Sequence, residues 1–143
     1  MSAIGAEPTK QERIDAKTCA IEMSINQSRD HYLIGTFEHL GDVQCDETGC
    51  VETLKIVQEF AARIPDGTKF ANTIEVVRAS KNGAPMLPYS AGLISVGVLL
   101  PRPGGEFYYF AAESLPAEAE VVAIYEQATK VAVAAAPGAP DCR

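Results

Sequence analysis

The chain has 143 residues, 47% of them hydrophobic and 22% charged, with a formal net charge of −7. That length suits one domain with a buried core, and the composition excludes wholesale disorder. The acidity argues against nucleic acid, whose phosphates demand clustered Lys and Arg, and against an anionic bilayer surface; no apolar run approaches the ~20 residues of a membrane span.

Residues 1–8 read as a flexible lead without the basic and apolar regions of a signal peptide. Two histories fit: a cytoplasmic protein, or an extracytoplasmic one whose signal peptide has been removed. Thr9 and Glu12 form a capping-box pattern, so a helix is expected from Lys10. Ile14, Thr18, Ile21 and Ile25 recur along it at helical spacing, with the alternation Ile21, Met23, Ile25 as a competing strand. Residues 26–30 read as a turn. Leu33, Ile34, Phe37 and Leu40 predict a second, short helix stopped by Gly41. The β-branched and aromatic content of 32–37 makes a strand its alternative. Val51, Leu54, Val57, Phe60, Ala61 and Ile64 predict a third helix, capped by Thr48 or Gly49 and ended by Pro65-Asp66-Gly67.

The second half reads differently. Thr73 to Ala79 predicts a strand, followed by the turn signal Lys81-Asn82-Gly83 and two prolines, Pro85 and Pro88. Ile94, Val96, Val98 and Leu100 alternate with Ser95, Gly97 and Leu99, a strong strand pattern. Residues 101–105 (PRPGG) turn the chain, and residues 106–112 return as a second strand. Ser114 and Pro116 begin a last helix with Glu118 and Glu120 in its first turn and a buried stripe of Val121, Ile124, Tyr125, Ala128 and Val131. The expected architecture is α+β: N-terminal helices and a C-terminal helix packed on an antiparallel sheet of three or more strands. Residues 9–133 form the single domain and 134–143 an Ala/Pro/Gly-rich tail.

Four cysteines, Cys19, Cys45, Cys50 and Cys142, permit two disulfides in three connectivities. A thiol two residues from the chain end would be an oxidation liability if left free, so bridging favours a periplasmic or secreted protein. Cys45 and Cys50 enclose Asp46 and Glu47; a bridge there would stiffen a loop and present two acids, or act as a staple alone. Zinc chemistry fits poorly, because the pair is C-x4-C and only His39 lies near it. Thioredoxin-type redox chemistry needs C-x-x-C.

Acid–base candidates are His31 and His39, flanked by Asp30, Glu38 and Asp42; on a helix the two histidines would lie near the same side. Ser90 and Ser95 lack the G-x-S-x-G elbow, and no Walker, Rossmann or H-E-x-x-H motif is present. No cofactor and no metal are expected. Residues 107–110 place aromatics on both faces of one strand, with Tyr108 a candidate contact residue. The leading expectation is a small acidic extracytoplasmic protein that binds another, basic protein through Asp46, Glu47 and Tyr108, of inhibitor or immunity type. Two alternatives stand beside it. One is a cytoplasmic small-molecule-binding or enzymatic domain with reduced cysteines, its pocket between Ser95, Gly97 and the N-terminal helices. The other is a structural subunit of a larger assembly.

Overall fold

The computed structural model describes residues 7–28, 31–46, 49–79, 91–102, 107–111 and 115–135. Helix α1 (Lys10–Ser28) is followed by β1 (Tyr32–Asp46), β2 (Gly49–Arg63), β3 (Thr73–Ala79), β4 (Ile94–Pro101), β5 (Tyr108–Phe110), β6 (Leu115–Pro116) and α2 (Ala119–Ala135). The capping box forms as expected: the Thr9 hydroxyl accepts from the Glu12 amide, and Glu12 Oε1 accepts from the Thr9 amide, each at 3.1 Å.

β1 lies between β2 and β4, antiparallel to both. β2 continues to β3, and β4 to β5, also antiparallel. The sequence order 4-1-2-3 in space is a Greek key. β5 then meets β3 and closes the five strands into a barrel, with β6 added beside β4. That closing contact is parallel and, among the described residues, consists of one bridge, Val76 to Tyr108. The sheet is therefore mixed and not purely antiparallel, because closing the ring brings together two strands that run the same way.

Alternation divides the strands between two cores. Inside the barrel, Leu33 and Phe37 of β1 meet Leu54, Ile74, Val76 and Leu99. On the outside, Ile34, Val96, Val98 and Leu100 pack against Ile14, Ile21 and Ile25 of α1 and Ile124, Tyr125, Ala128 and Ala132 of α2. Each fully buried Leu or Ile among these contributes roughly 1.5–3 kcal/mol of transfer free energy. The helices cover the Val96–Val98–Leu100 face, so Ser95 and Gly97 point into the barrel and not toward the helices as expected.

Among the described residues one helix precedes the sheet. The expected second and third helices are β1 and β2. In β1 the β-branched and aromatic side chains prevail. In β2 the inward row is Cys50, Glu52, Leu54 and Ile56; Glu52 hides this alternation because a buried carboxylate reads as a surface residue. Register shifts at Ile34/Gly35, Thr36/Phe37 and His39/Val43 break the period further. Gly41, expected as a helix stop, adopts φ +80° inside the last of these bulges. α1 runs through the expected turn to Ser28. α2 begins at Ala119 because Leu115 and Pro116 are paired with Val96 and Ser95. Its buried stripe passes from Ala128 to Ala132, four residues on, and Val131 is exposed. The strand at 73–79 stands as expected, and the one at 94–100 does too, extended to Pro101, which was expected in the turn. The turn at 81–83, with Pro85 and Pro88, lies outside the described residues.

Candidate functional site

At the far end of the β1–β2 hairpin, Cys45 and Cys50 face each other across the strands and are joined by a disulfide, their Cα atoms 4.0 Å apart. Beside this clip lies a groove of about 730 Å3. β1 contributes Asp42, β2 Val51, β3 Glu75, and the segments flanking the β4–β5 turn Arg102, Phe107 and Tyr109. Of these, Val51, Glu75 and Tyr109 are outward residues of strands whose alternate positions pack inside the barrel. Tyr109 is fixed from the other side by α1, whose Gln27 amide donates to its hydroxyl at 2.9 Å. Carboxylates, one guanidinium and two aromatics thus line a single concavity, a mixture suited to recognition.

Deeper along the same hairpin sits a buried polar chain. His39 Nδ1 contacts Glu52 Oε1, and its Nε2 lies 2.9 Å from Ser95 Oγ. The three residues come from β1, β2 and β4, and all are fully buried. A ring protonated on Nδ1 donates to the carboxylate and accepts the serine proton on Nε2. Those are the roles of a Ser-His-acid relay. Neither the clip groove nor a second cavity between the helices touches any of the three, so no substrate carbonyl reaches Ser95 in this conformation. As it stands the chain satisfies polar groups within the barrel.

The other mouth of the barrel carries an aromatic cluster. His31 Nε2 is 2.7 Å from the Tyr108 hydroxyl, the two rings meet edge to face, and Phe70 packs on both. Burial lowers the His31 pKa, and Asp66 opposes that. Burial likewise raises the Tyr108 phenol, with Asp66 adding to the rise.

The candidate residues are thus redistributed. His31 and His39 do not share a helix face; extended chain of roughly 25 Å separates them, because eight residues of strand rise about 3.3 Å each. Tyr108 joins His31, and His39 joins Ser95. Glu52 had no signal in the sequence, because a lone Glu in an apolar stripe reads as a solvated position. Asp46 ends β1 at the clip; Glu47, Asp30, Ser90 and Cys142 lie outside the described residues. Cys19, on α1, is disulfide-bonded, and no described cysteine is a free thiol. Among the described residues no three metal-ligating side chains converge, and no helix is long and apolar enough to cross a membrane. No family model, no curated protein and no solved structure matches this chain.

Proposed function

We propose that the protein is an extracytoplasmic binding domain of inhibitor or immunity type, which docks a basic protein across the groove beside the Cys45–Cys50 clip. The observation that carries this reading is the clip itself, a covalently fixed hairpin end bordering a groove lined by Asp42, Glu75, Arg102, Phe107 and Tyr109. Strand ends joined by a disulfide lose little conformational entropy on docking, which favours affinity. Asp46 and Glu47, which follow Cys45 in sequence, are acidic, and the net charge of −7 favours encounter with a cationic surface. Disulfide bonding supports the compartment, since such bonds persist outside the reducing cytosol. Crosslinking in the native envelope or secreted fraction tests it. Partner crosslinks should map to the tip and to Arg102 and disappear in Asp46→Lys/Glu47→Lys. Unchanged crosslinks in that double variant would remove the tip from the function.

A second reading, acyl transfer by Ser95, is favoured by the Ser95–His39–Glu52 chain. It requires the barrel end to open so that Ser95 Oγ adds to an ester or amide carbonyl carbon while its proton passes to His39 Nε2, which hands it to the departing alcohol or amine as the bond from that group to the carbonyl carbon breaks. A fluorophosphonate probe that labels Ser95 in the folded protein, and not in His39→Ala, would support it. Absence of labelling leaves the chain a structural one.

A further inference from the structure

We infer that the groove beside the clip seats an extended segment of the partner that carries a cation, an apolar residue and an anion at alternate positions. This rests on the docking reading above and names what the groove takes from the partner.

The strand register sets the order of the lining. Thr53 of β2 stands opposite Glu75 of β3. The bridge from Val76 to Tyr108 brings Glu75 beside Phe107, the residue before β5. Arg102, the residue after β4, comes next, since its amide donates to the Phe107 carbonyl at 2.9 Å. Glu75, Phe107 and Arg102 thus form one row across the strands: carboxylate, aromatic ring, guanidinium. All three line the groove. Neighbouring strands lie about 4.8 Å apart, so the Cα atoms that carry the two charged side chains are roughly 10 Å from each other. Both side chains are exposed, and among the described residues no ion pair or side-chain hydrogen bond engages either. Val77 and Tyr109 line the groove alongside and widen the apolar strip at its middle.

The lining selects the occupant. A uniformly basic segment would set a cation against Arg102, and a uniformly acidic one an anion against Glu75. Like charges brought together across an interface are costly. A wholly apolar segment would cover both charges and pair neither. A segment with both signs, separated by an apolar side chain over Phe107 and Tyr109, satisfies each group. Extended chain supplies that pattern with a period of two: residues i, i+2 and i+4 face one side and span roughly 13 Å, enough to reach from Glu75 to Arg102. A helix spanning the row needs about two turns, or roughly 850–1,200 Å3 with its side chains, against a groove of about 730 Å3. The net charge of −7 still draws a basic partner; Arg102 marks the point at which that partner's segment must turn acidic.

Three blocked pentapeptides test the inference: acetyl-Lys-Ser-Leu-Ser-Asp-amide and its counterparts with Lys at both ends or Asp at both ends. Each is titrated into the full chain and followed by nuclear magnetic resonance. The dipolar peptide should bind at least tenfold tighter than either counterpart, and replacing its Leu by Ser should weaken it several-fold. Glu75→Arg should turn the preference to the peptide with two Asp, and Arg102→Glu to the one with two Lys; such a gain of binding is a property no misfolded variant would show. No binding of the dipolar peptide, equal binding of all three, or an unaltered preference in either variant would overturn the inference. Partner crosslinks that persist at Arg102 while the dipolar peptide fails to bind would overturn the segment and leave the docking reading in place.

Discussion

Gly35→Ala tests the close contact on which the barrel wall depends. Gly35 sits in β1 between β2 and β4, opposite Glu59 and Gly97. A methyl built on its Cα would lie 2.0 Å from the Gln58 carbonyl oxygen and 3.2 Å from the Glu59 Cα. Ordinary contact needs more than 3.4 Å, so the two backbones would have to part by over an ångström. Neither side can yield cheaply: the obstacle is main chain, and β4 holds β1 from behind. Overpacking of this kind costs about 3 kcal/mol, the upper end of the usual range. The opposing gain from a stiffer unfolded chain is only about 0.4–1 kcal/mol. With an unfolding entropy near 2.1 cal/mol/K per residue, or about 0.3 kcal/mol/K for 143 residues, the net loss should lower the midpoint by roughly 7–9 °C. Gly67→Ala is the control. Its added methyl meets nothing within 4 Å, but φ is +81°, so it should cost only the left-handed strain of about 1 kcal/mol. Thermal and urea unfolding by circular dichroism measure both. A Gly35→Ala midpoint within 2 °C of wild type would show that β1 and β2 are not this close.

Three further outcomes are expected. His39→Ala removes the imidazole that Glu52 contacts in the barrel and should cost at least about 3 kcal/mol by urea denaturation; Ser95→Ala, losing one neutral hydrogen bond, should cost about 1 kcal/mol. Equal effects would mean that the acid–imidazole contact carries no special weight. Replacing Cys45 and Cys50 by serine opens a six-residue loop and should lower stability by about 2 kcal/mol, with the urea slope unchanged. His31 has a folded pKa below its unfolded value, so the unfolded chain binds more protons and stability should fall as pH drops through about 6.5. His31→Phe should flatten that slope in urea titrations between pH 7.5 and 5.5, and an unchanged slope would assign it to another group.

What could be read from the chain depended on whether each element's period was whole. β4 alternates without interruption and was legible over 94–100, with Pro101 read as the start of the turn; β3 was legible over its full length. α1 announced its start through Thr9 and Glu12. β1 was legible as a strand only as the alternative over 32–37, and β2 not at all, since three bulges shift their phase and Glu52 occupies an inward position. The same residue hid a polar chain: His39 was noticed, but its partners lie 13 and 56 positions away, and only barrel closure brings them together. The clip was legible because a disulfide between near neighbours needs no long-range information. The pocket between the helices was not, because it joins residues from the two ends of the described chain.

Among the described residues β3 and β5 share one parallel bridge, Val76 to Tyr108, which has a consequence for how the molecule breathes. The other strand pairs of the ring carry described ladders of three or more residues, so local opening should begin at the β3–β5 seam. Parting there would free the inward edges of Ile74 and Val76 to solvent while the long β1–β2 ladder stays intact. Amides of β3 and β5 should then exchange with solvent faster than those of β1. The two strands so released would present unsatisfied backbone groups, an edge at which another chain could add. The hydroxyl of Tyr108, 2.7 Å from His31 Nε2, ties β5 instead to the residue that precedes β1.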